Sequence, residues 1–517
     1  MNLIDQDAVN ALMKSALAAP SEDIARSILT AAGMDPNTLQ KTISTGTGLI
    51  AYDLQAPAKN LYPVYTPIRN RIPRVGGGTG TATNWRQVNA IIGSGWDGMG
   101  WVPEGQRSGQ MSYSTSNKAA SYVTIGEEDG ATFEAINAGR SFEDIQARMT
   151  MRLLQKTMLK EENGLLFGNN SVQLGTPGTP TLAAAGSGAT LPAVSPYSVI
   201  VVALSGEGYA NATKTGTLAL ATTKTITGAD GKTFTLNGGS SNQSAAATQA
   251  VTLGQTLSCS VAAVQGAVAY GWYIGAAGSE KLAAITTINS VAFSAPLGNG
   301  SNQAATAVAA DYSTNATAFD GLFTTAAKSG SGAYVQYLAA GTAGTGTPLT
   351  ASGRGSVVEI DTMMRAMWDS AQLSISILFV NSQELKNITT KVLTGASGGS
   401  LINYFQDPKA GEYVMTAGGT IEFYYNPFMA PGAGRRIPIM IHPMVPPGTI
   451  IGWAESLPIQ YQSNDVPNIA EIKTRQDYYQ IDWPITTRQR QVGVYSEEVL
   501  AIYAPFGMGI ISNIANG

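Results

Sequence analysis

Across residues 141–168 apolar positions recur at helical spacing for longer than anywhere else in the chain. Ile145, Met149 and Leu153 form one ridge, and Ala147, Met151, Leu154 and Met158 a second beside it. Arg148, Arg152, Lys156 and Lys160 fill much of the polar side. Ser141 is placed to cap the first N–H groups. Glu143 and Asp144 fall in the first turn, where negative charge suits the macrodipole. Gly164 or Gly168 ends the helix. At 1.5 Å per residue the rod is roughly 35–40 Å long, a beam for other elements rather than the wall of a catalytic cleft.

Before this helix the periodicity changes several times. Residues 3–18 and 21–32 read as two small amphipathic helices, broken and capped by Pro20 and Ser21. In LYPVYTPIRNRIPRV, Pro63, Pro67 and Pro73 predict an extended arm punctuated by Arg69, Arg71 and Arg74. Its apolar residues (Leu61, Val64, Tyr65, Ile68, Ile72) need a surface elsewhere, in this chain or a neighbour. The following GGGTG lacks the Gly-Lys-Ser/Thr of a phosphate loop and reads as a hinge. Residues 84–92 and 122–125 read as two strands around a long tip containing Trp96, Met99 and Trp101, closed by a turn at 127–130. Such a tip needs a partner surface, because exposed apolar clusters otherwise aggregate.

After the helix, residues 172–195 read as a Gly/Pro/Ala/Ser/Thr-rich linker. Short strands then follow at 197–205, 217–223, 233–236, 257–262, 269–275, 282–287 and 291–294, the spacing of a β-sandwich. Cys259 and Trp272 stand where immunoglobulin-type domains often place an inward cysteine and a core tryptophan, with no second cysteine for the disulfide. We read 196–310 as an inserted, separable Ig-like module. Beyond it the pattern is mixed: a helix over 355–372 with Val357, Val358, Ile360, Met363, Met364 and Met367 inward, a buried strand at 375–380, and a helix capped by Asn381. Strands at 413–415, 420–425, 437–441 and 449–453 complete an α+β domain. Residues 480–495 and 498–511 read as two closing strands.

Composition narrows the function. A chain of 517 residues exceeds one core and suggests two to four structural units. Only 13% of residues are charged, a profile suited to subunit-buried surface, and the net charge of −4 gives no overall basic footprint. The single Cys259 cannot form an internal disulfide, no signal peptide is evident, and no uninterrupted apolar span of about 20 residues exists. Enzyme chemistry finds little footing. His442 is the only histidine and sits in an apolar run, as a structural histidine would. Cys259 reads as a core residue rather than a nucleophile. The carboxylate pairs Glu127/Glu128, Glu161/Glu162 and Glu497/Glu498 are adjacent in sequence and point apart, with the first read as a solvated turn.

The order of parts then becomes informative. LYPVYTPIRNRIPRV, GGGTGTATNWR, the loop segment GWVPEG and ATFEAINAGRSFEDIQARM leading into the long helix resemble the major capsid proteins of tailed bacteriophages, the Hong Kong 97-type fold. The resemblance covers nearly the whole chain outside the sandwich, an insert that some phage structural proteins also carry. It implies an α+β fold of six parts: N-terminal helices and N-arm at 1–80, an extended hairpin loop at 81–138, and a spine helix, peripheral domain and linker at 139–195. An Ig-like β-sandwich at 196–310, an axial domain at 311–475 and C-terminal strands returning to the peripheral domain at 476–517 follow. It further implies hexamers and pentamers of an icosahedral shell around double-stranded DNA, assembled in the bacterial host cytoplasm, with no enzyme activity, cofactor, metal or membrane. Portal, scaffolding and decoration proteins would be its other partners.

The subunit-interface candidates are Tyr65, Ile68, Arg69, Arg71 and Arg74 of the arm, Trp96, Trp101 and Glu104 of the loop, and Arg435 and Arg436. Many relatives carry a long N-terminal scaffolding segment removed by a protease. Only about 40 residues precede the arm here, so a separate scaffold is expected instead. The alternative reading is a phage tail or bacterial surface protein that binds glycan through the Ig-like module.

Overall fold

A computed structural model describes residues 65–92, 101–110, 112–140, 144–353, 355–394, 403–406, 413–416, 421–428, 436–457 and 467–515. The helices expected over 3–18 and 21–32 lie outside these residues, as do Trp96, Met99, Ser141, Glu143 and Arg435.

From Tyr65 the chain closes one helical turn, with the Asn70 N–H donating to Thr66 O (3.2 Å) and the Ile72 N–H to Ile68 O (3.1 Å). Pro67 and Pro73 were expected to keep this stretch extended. They bracket the turn instead, because the first position of a helical turn needs no N–H. β1 (Arg74–Val75) follows. Next β2 (Ala82–Ile92) and β3 (Ser112–Ser121) pair as an antiparallel ribbon, from Ala82 opposite Ser121 to Ile92 opposite Ser112. The returning strand is therefore 112–121 and not 122–125. Its side chains over 115–121 alternate between exposed and half-buried, with Ser116, Lys118 and Ala120 on the half-buried side, so the period of two is carried by residues that are mostly not apolar.

β4 (Val123–Thr132) runs straight on, and the residues read as a 127–130 turn are paired strand. Gly126 permits this, since a Cβ there would lie 2.1 Å from a Tyr495 ring carbon. The long helix spans Ile145–Phe167, ended by Gly168 and capped by Asp144, which accepts the Gln146 and Ala147 N–H groups. Met149 and Leu153 bury against Val492 and Val494. Met151 of the second ridge is exposed instead.

The next strands are β5 (Thr181–Ala185), β6 (Val194–Leu204), β7 (Thr223–Thr227), β8 (Thr233–Asn237), β9 (Ala247–Val251), β10 (Thr256–Ser260), β11 (Ala269–Gly275), β12 (Lys281–Thr286) and β13 (Ser290–Phe293). They build a four-stranded sheet ordered β12-β11-β6-β9 and a three-stranded sheet ordered β13-β10-β5, with β7 and β8 as a separate hairpin. Two features correct the sequence reading. β5 pairs with β10 inside the expected linker. The four-stranded sheet is also buried on both faces. Val199, Val201 and Ala203 share one face with Trp272 of the neighbouring β11 and pack with Cys259 of the other sheet. Ile200, Val202 and Leu204 face a core shared with Leu165, Leu166 and Phe167 of the long helix. The unbroken apolar run of β6 fits a strand covered on both sides. The sandwich is thus welded to the rest of the chain rather than hung on a linker.

β14 (Tyr334–Tyr337), β15 (Ile377–Val380), β16 (Asn403–Gln406), β17 (Tyr413–Thr416), β18 (Phe423–Tyr425), β19 (Arg436–Ile441), β20 (Ile450–Trp453), β21 (Ala470–Asp482), β22 (Gln489–Ile502) and β23 (Met508–Ser512) complete the chain. A mixed sheet runs β14-β23-β20-β15-β19-β18. Ile377 and Phe379 face the shared core, while Leu378 and Val380 face helix Val358–Ala371 through Ile360, Met363, Met364 and Met367. Val358, expected inward, is partly exposed. Asn381 Oδ1 accepts the Gln383 N–H at the start of helix Ser382–Thr394, as expected. The closing strands differ from expectation. β21 and β22 form a hairpin that joins β1 and β4 in the order β1-β21-β22-β4, and β23 belongs to the other sheet. Pro484 and Pro505 mark the true breaks, since neither proline can donate to a ladder.

Candidate assembly interface

The arm lies across the long helix, which presents two adjacent carboxylates to it. Neighbouring helix positions point about 100° apart, so Glu161 and Glu162 serve different partners. Glu162 accepts the backbone N–H groups of Ile68 (2.9 Å) and Arg69 (2.8 Å), those left over at the start of the arm's helical turn. It also bonds His442 Nε2 at 2.8 Å. His442 Nδ1 accepts the Met444 N–H (3.2 Å), so the ring carries its proton on Nε2 and donates it to Glu162. His442 is fully buried and structural, as its apolar run suggested.

Glu161 faces the guanidiniums. Arg69 Nε donates to Glu161 Oε2 and to the Tyr478 hydroxyl, both at 2.8 Å, and Tyr478 itself bonds Glu161. Arg74 binds Glu161 through Nη1, and through Nη2 it binds Asp477 (2.6 Å) and Glu498 (2.8 Å). Both arginines stack over the Tyr478 ring, 4.9 and 5.0 Å from its centroid. Burial raises the Glu161 carboxyl above its ordinary value and the nearby Glu498 charge adds to this, against the pull of Arg74 and Arg69. Burial opposes charge on Arg74 too, yet Asp477, Glu161 and Glu498 hold its guanidinium above the usual value. Glu498 is fully buried, and its Oε1 has no partner among the described residues. Removing one member of such a cluster costs about 3–5 kcal/mol, because the remaining charge stays buried and unpaired.

The expected interface residues therefore divide. Ile68 is fully buried in its own chain's core, and Arg69 and Arg74 are spent on the long helix. Arg71 reaches Glu455 at 2.7 Å, with both side chains about a third exposed. Tyr65 stays 40% exposed beside the His442 ring, at 6.5 Å between centroids. Trp101 is 89% exposed at the end of the β2–β3 ribbon, and Glu104 is exposed in a turn closed by the Gln106 N–H on Pro103 O (3.1 Å). Arg436 is exposed at the start of β19, opposite Tyr425. Tyr425 and Phe423 are exposed on the same edge strand. Cys259 lies in the sandwich core, where burial pushes its thiol up to about 12.

The sequence reading missed the cluster around Glu161, though a signal was present. Acidic residues near a helix C-terminus oppose the macrodipole and call for cationic partners. Three arginines within an apolar arm call for anionic ones.

No protein-family model matches the sequence, and no curated protein matches it. Among solved structures, the capsid of a native GTA particle covers 92% of this chain and 98% of its own, at 9% identity and a TM-score of 0.39. A structure of Mycobacterium phage Bobi covers 90% and 95%, at 8% identity and a TM-score of 0.37. The capsid of the Myoviridae phage XM1 covers 91% and 100%, at 8% identity and a TM-score of 0.37.

Proposed function

We propose that this chain is the major capsid protein of a tailed double-stranded DNA bacteriophage, whose copies form the hexamers and pentamers of an icosahedral shell. The carrying observation is the connection between β2 and β3, where Trp101 is 89% exposed and nothing described in its own chain covers it. A bare indole at the end of a ribbon is costly unless a neighbour buries it, and the edge pair Phe423 and Tyr425 raises the same demand. In this reading the ribbon is the extended loop and the helix Ile145–Phe167 the spine. The β1-β21-β22-β4 sheet is the peripheral platform, the six-stranded sheet the axial domain, and the sandwich an Ig-like insertion fused to the shell body. Portal, scaffolding or decoration proteins would complete the particle.

Expression of the full chain alone, or with a scaffold, followed by electron microscopy tests this. Closed shells or isolated hexamers and pentamers are expected. Tubes, fibres or strictly monomeric protein under both conditions would overturn the reading.

A further inference from the structure

The long helix carries a second row of side chains that the arm cluster does not use. Its buried row runs Met149, Leu153, Thr157, Glu161 at intervals of four. Immediately beside it, at the same interval, runs Arg148, Arg152, Lys156, Lys160. The side chains of Lys156 and Lys160 are 63% and 48% exposed. Arg152 is exposed and has no hydrogen-bond or ion-pair partner among the described residues. Among the described residues, Glu127 of β4 is the carboxylate that ion-pairs with this row, bonding Lys156 Nζ at 3.2 Å and also Lys160 Nζ. Lys224 of the β7–β8 hairpin comes close enough for its like charge to add to burial in lowering the Lys160 ammonium's affinity for its proton. Glu127 thus answers Lys156 and Lys160, while Arg152 on the same row and Lys224 beside Lys160 add two further cations.

A helix built only for its own stability would alternate signs at i, i+4, since like charges at that spacing destabilise it. This row repeats one sign, and a hairpin from another part of the chain adds to it. The cations are also strung out, about 6 Å of axis from one to the next. A small anion would need donors converging on one point, whereas a row of separated cations suits a charged polymer.

We propose that this row and Lys224 form a sequence-independent contact for the phosphodiester backbone of double-stranded DNA. The proposal rests on the shell reading above, because it supplies the polymer as the enclosed genome. Net charge does not oppose it, since the contact needs a local stripe rather than a basic protein. Affinity per subunit is weak and salt-dependent, and a shell multiplies it by the number of copies.

The test measures binding of the purified full chain to a fluorescent DNA duplex of about 30 base pairs across a salt series, where each phosphate contact contributes about −0.9 to the slope of log K on log salt. The double variant Arg152→Glu, Lys156→Glu is expected to weaken binding at least about tenfold and to flatten the slope by about 2. Glu127→Gln removes the competing carboxylate and is expected to tighten binding, a gain that misfolding would not produce. Unchanged affinity in both variants, or displacement of DNA by polyglutamate of equal charge as readily as by unlabelled duplex, would overturn the proposal. Microscopy of the same preparations reads shell formation separately, so failure of the capsid reading would register there rather than in the binding curves.

Discussion

At the scale of single residues, the buried cluster holds more carboxylate than guanidinium, and Glu161 carries the consequence. Burial and the Glu498 charge favour its protonated form in the folded chain. As pH rises from the ordinary glutamate range towards neutrality, the unfolded chain releases this proton first and the folded chain retains it. Deprotonation therefore favours unfolding, and Glu161's contribution is present at low pH and lost as pH rises. Glu161→Gln fixes the side chain in a neutral form. Wild-type chain is expected to lose on the order of 1–3 kcal/mol relative to this variant between about pH 5 and pH 8. Urea unfolding of unassembled protein at both values measures it, and parallel pH dependence in the two proteins would refute the account. The sequence shows Glu161 and Glu162 as an adjacent pair, but Tyr478, which bonds Glu161, and Glu498, whose charge acts on it, lie more than 300 positions away. Local sequence signals that each side needs a counter-charge, but not which distant residue supplies it.

Among elements, legibility followed the number of faces each one buries. For β11, buried along nearly its whole length, the pattern over 269–275 gives the observed bounds, and for helix Val358–Ala371 nearly so. The second strand of the β2–β3 ribbon, Ser112–Ser121, is hard to read because its half-buried positions are filled by Ser116, Lys118 and Ala120 rather than large apolar residues. The seven-residue run YSVIVVA of β6 is legible as strand, but a continuous apolar run does not by itself say what covers its second face. That second face cancels the expectation of a separable module. Leu204 points into the core shared with the long helix, and Leu257 into the sandwich's own core. Leu204→Ala and Leu257→Ala are each expected to cost about 2–5 kcal/mol and to lower the midpoint of one common unfolding transition. Calorimetry showing two transitions, with Leu257→Ala shifting only one of them, would restore the separable module.

For the whole molecule, the decisive question is what covers the ribbon's end. The arm was expected to supply the neighbour's contact through Ile68, Arg69 and Arg74, yet these are consumed within their own chain. In the proposed shell the exposed rings left to meet a neighbour are Trp101, with Glu104 three positions on, and the partly exposed Tyr65, Phe423 and Tyr425. Burying one large aromatic side chain contributes about 1.5–3 kcal/mol, and a closed shell repeats that at every subunit. Because Trp101 is exposed in the single chain, Trp101→Ala is expected to leave the isolated subunit's circular dichroism and melting temperature unchanged. Particle yield, or the melting temperature of assembled particles, should fall. The contrary order of damage, an unfolded subunit in particles of normal stability, would mean that the indole serves its own chain and that the ribbon is not an assembly element.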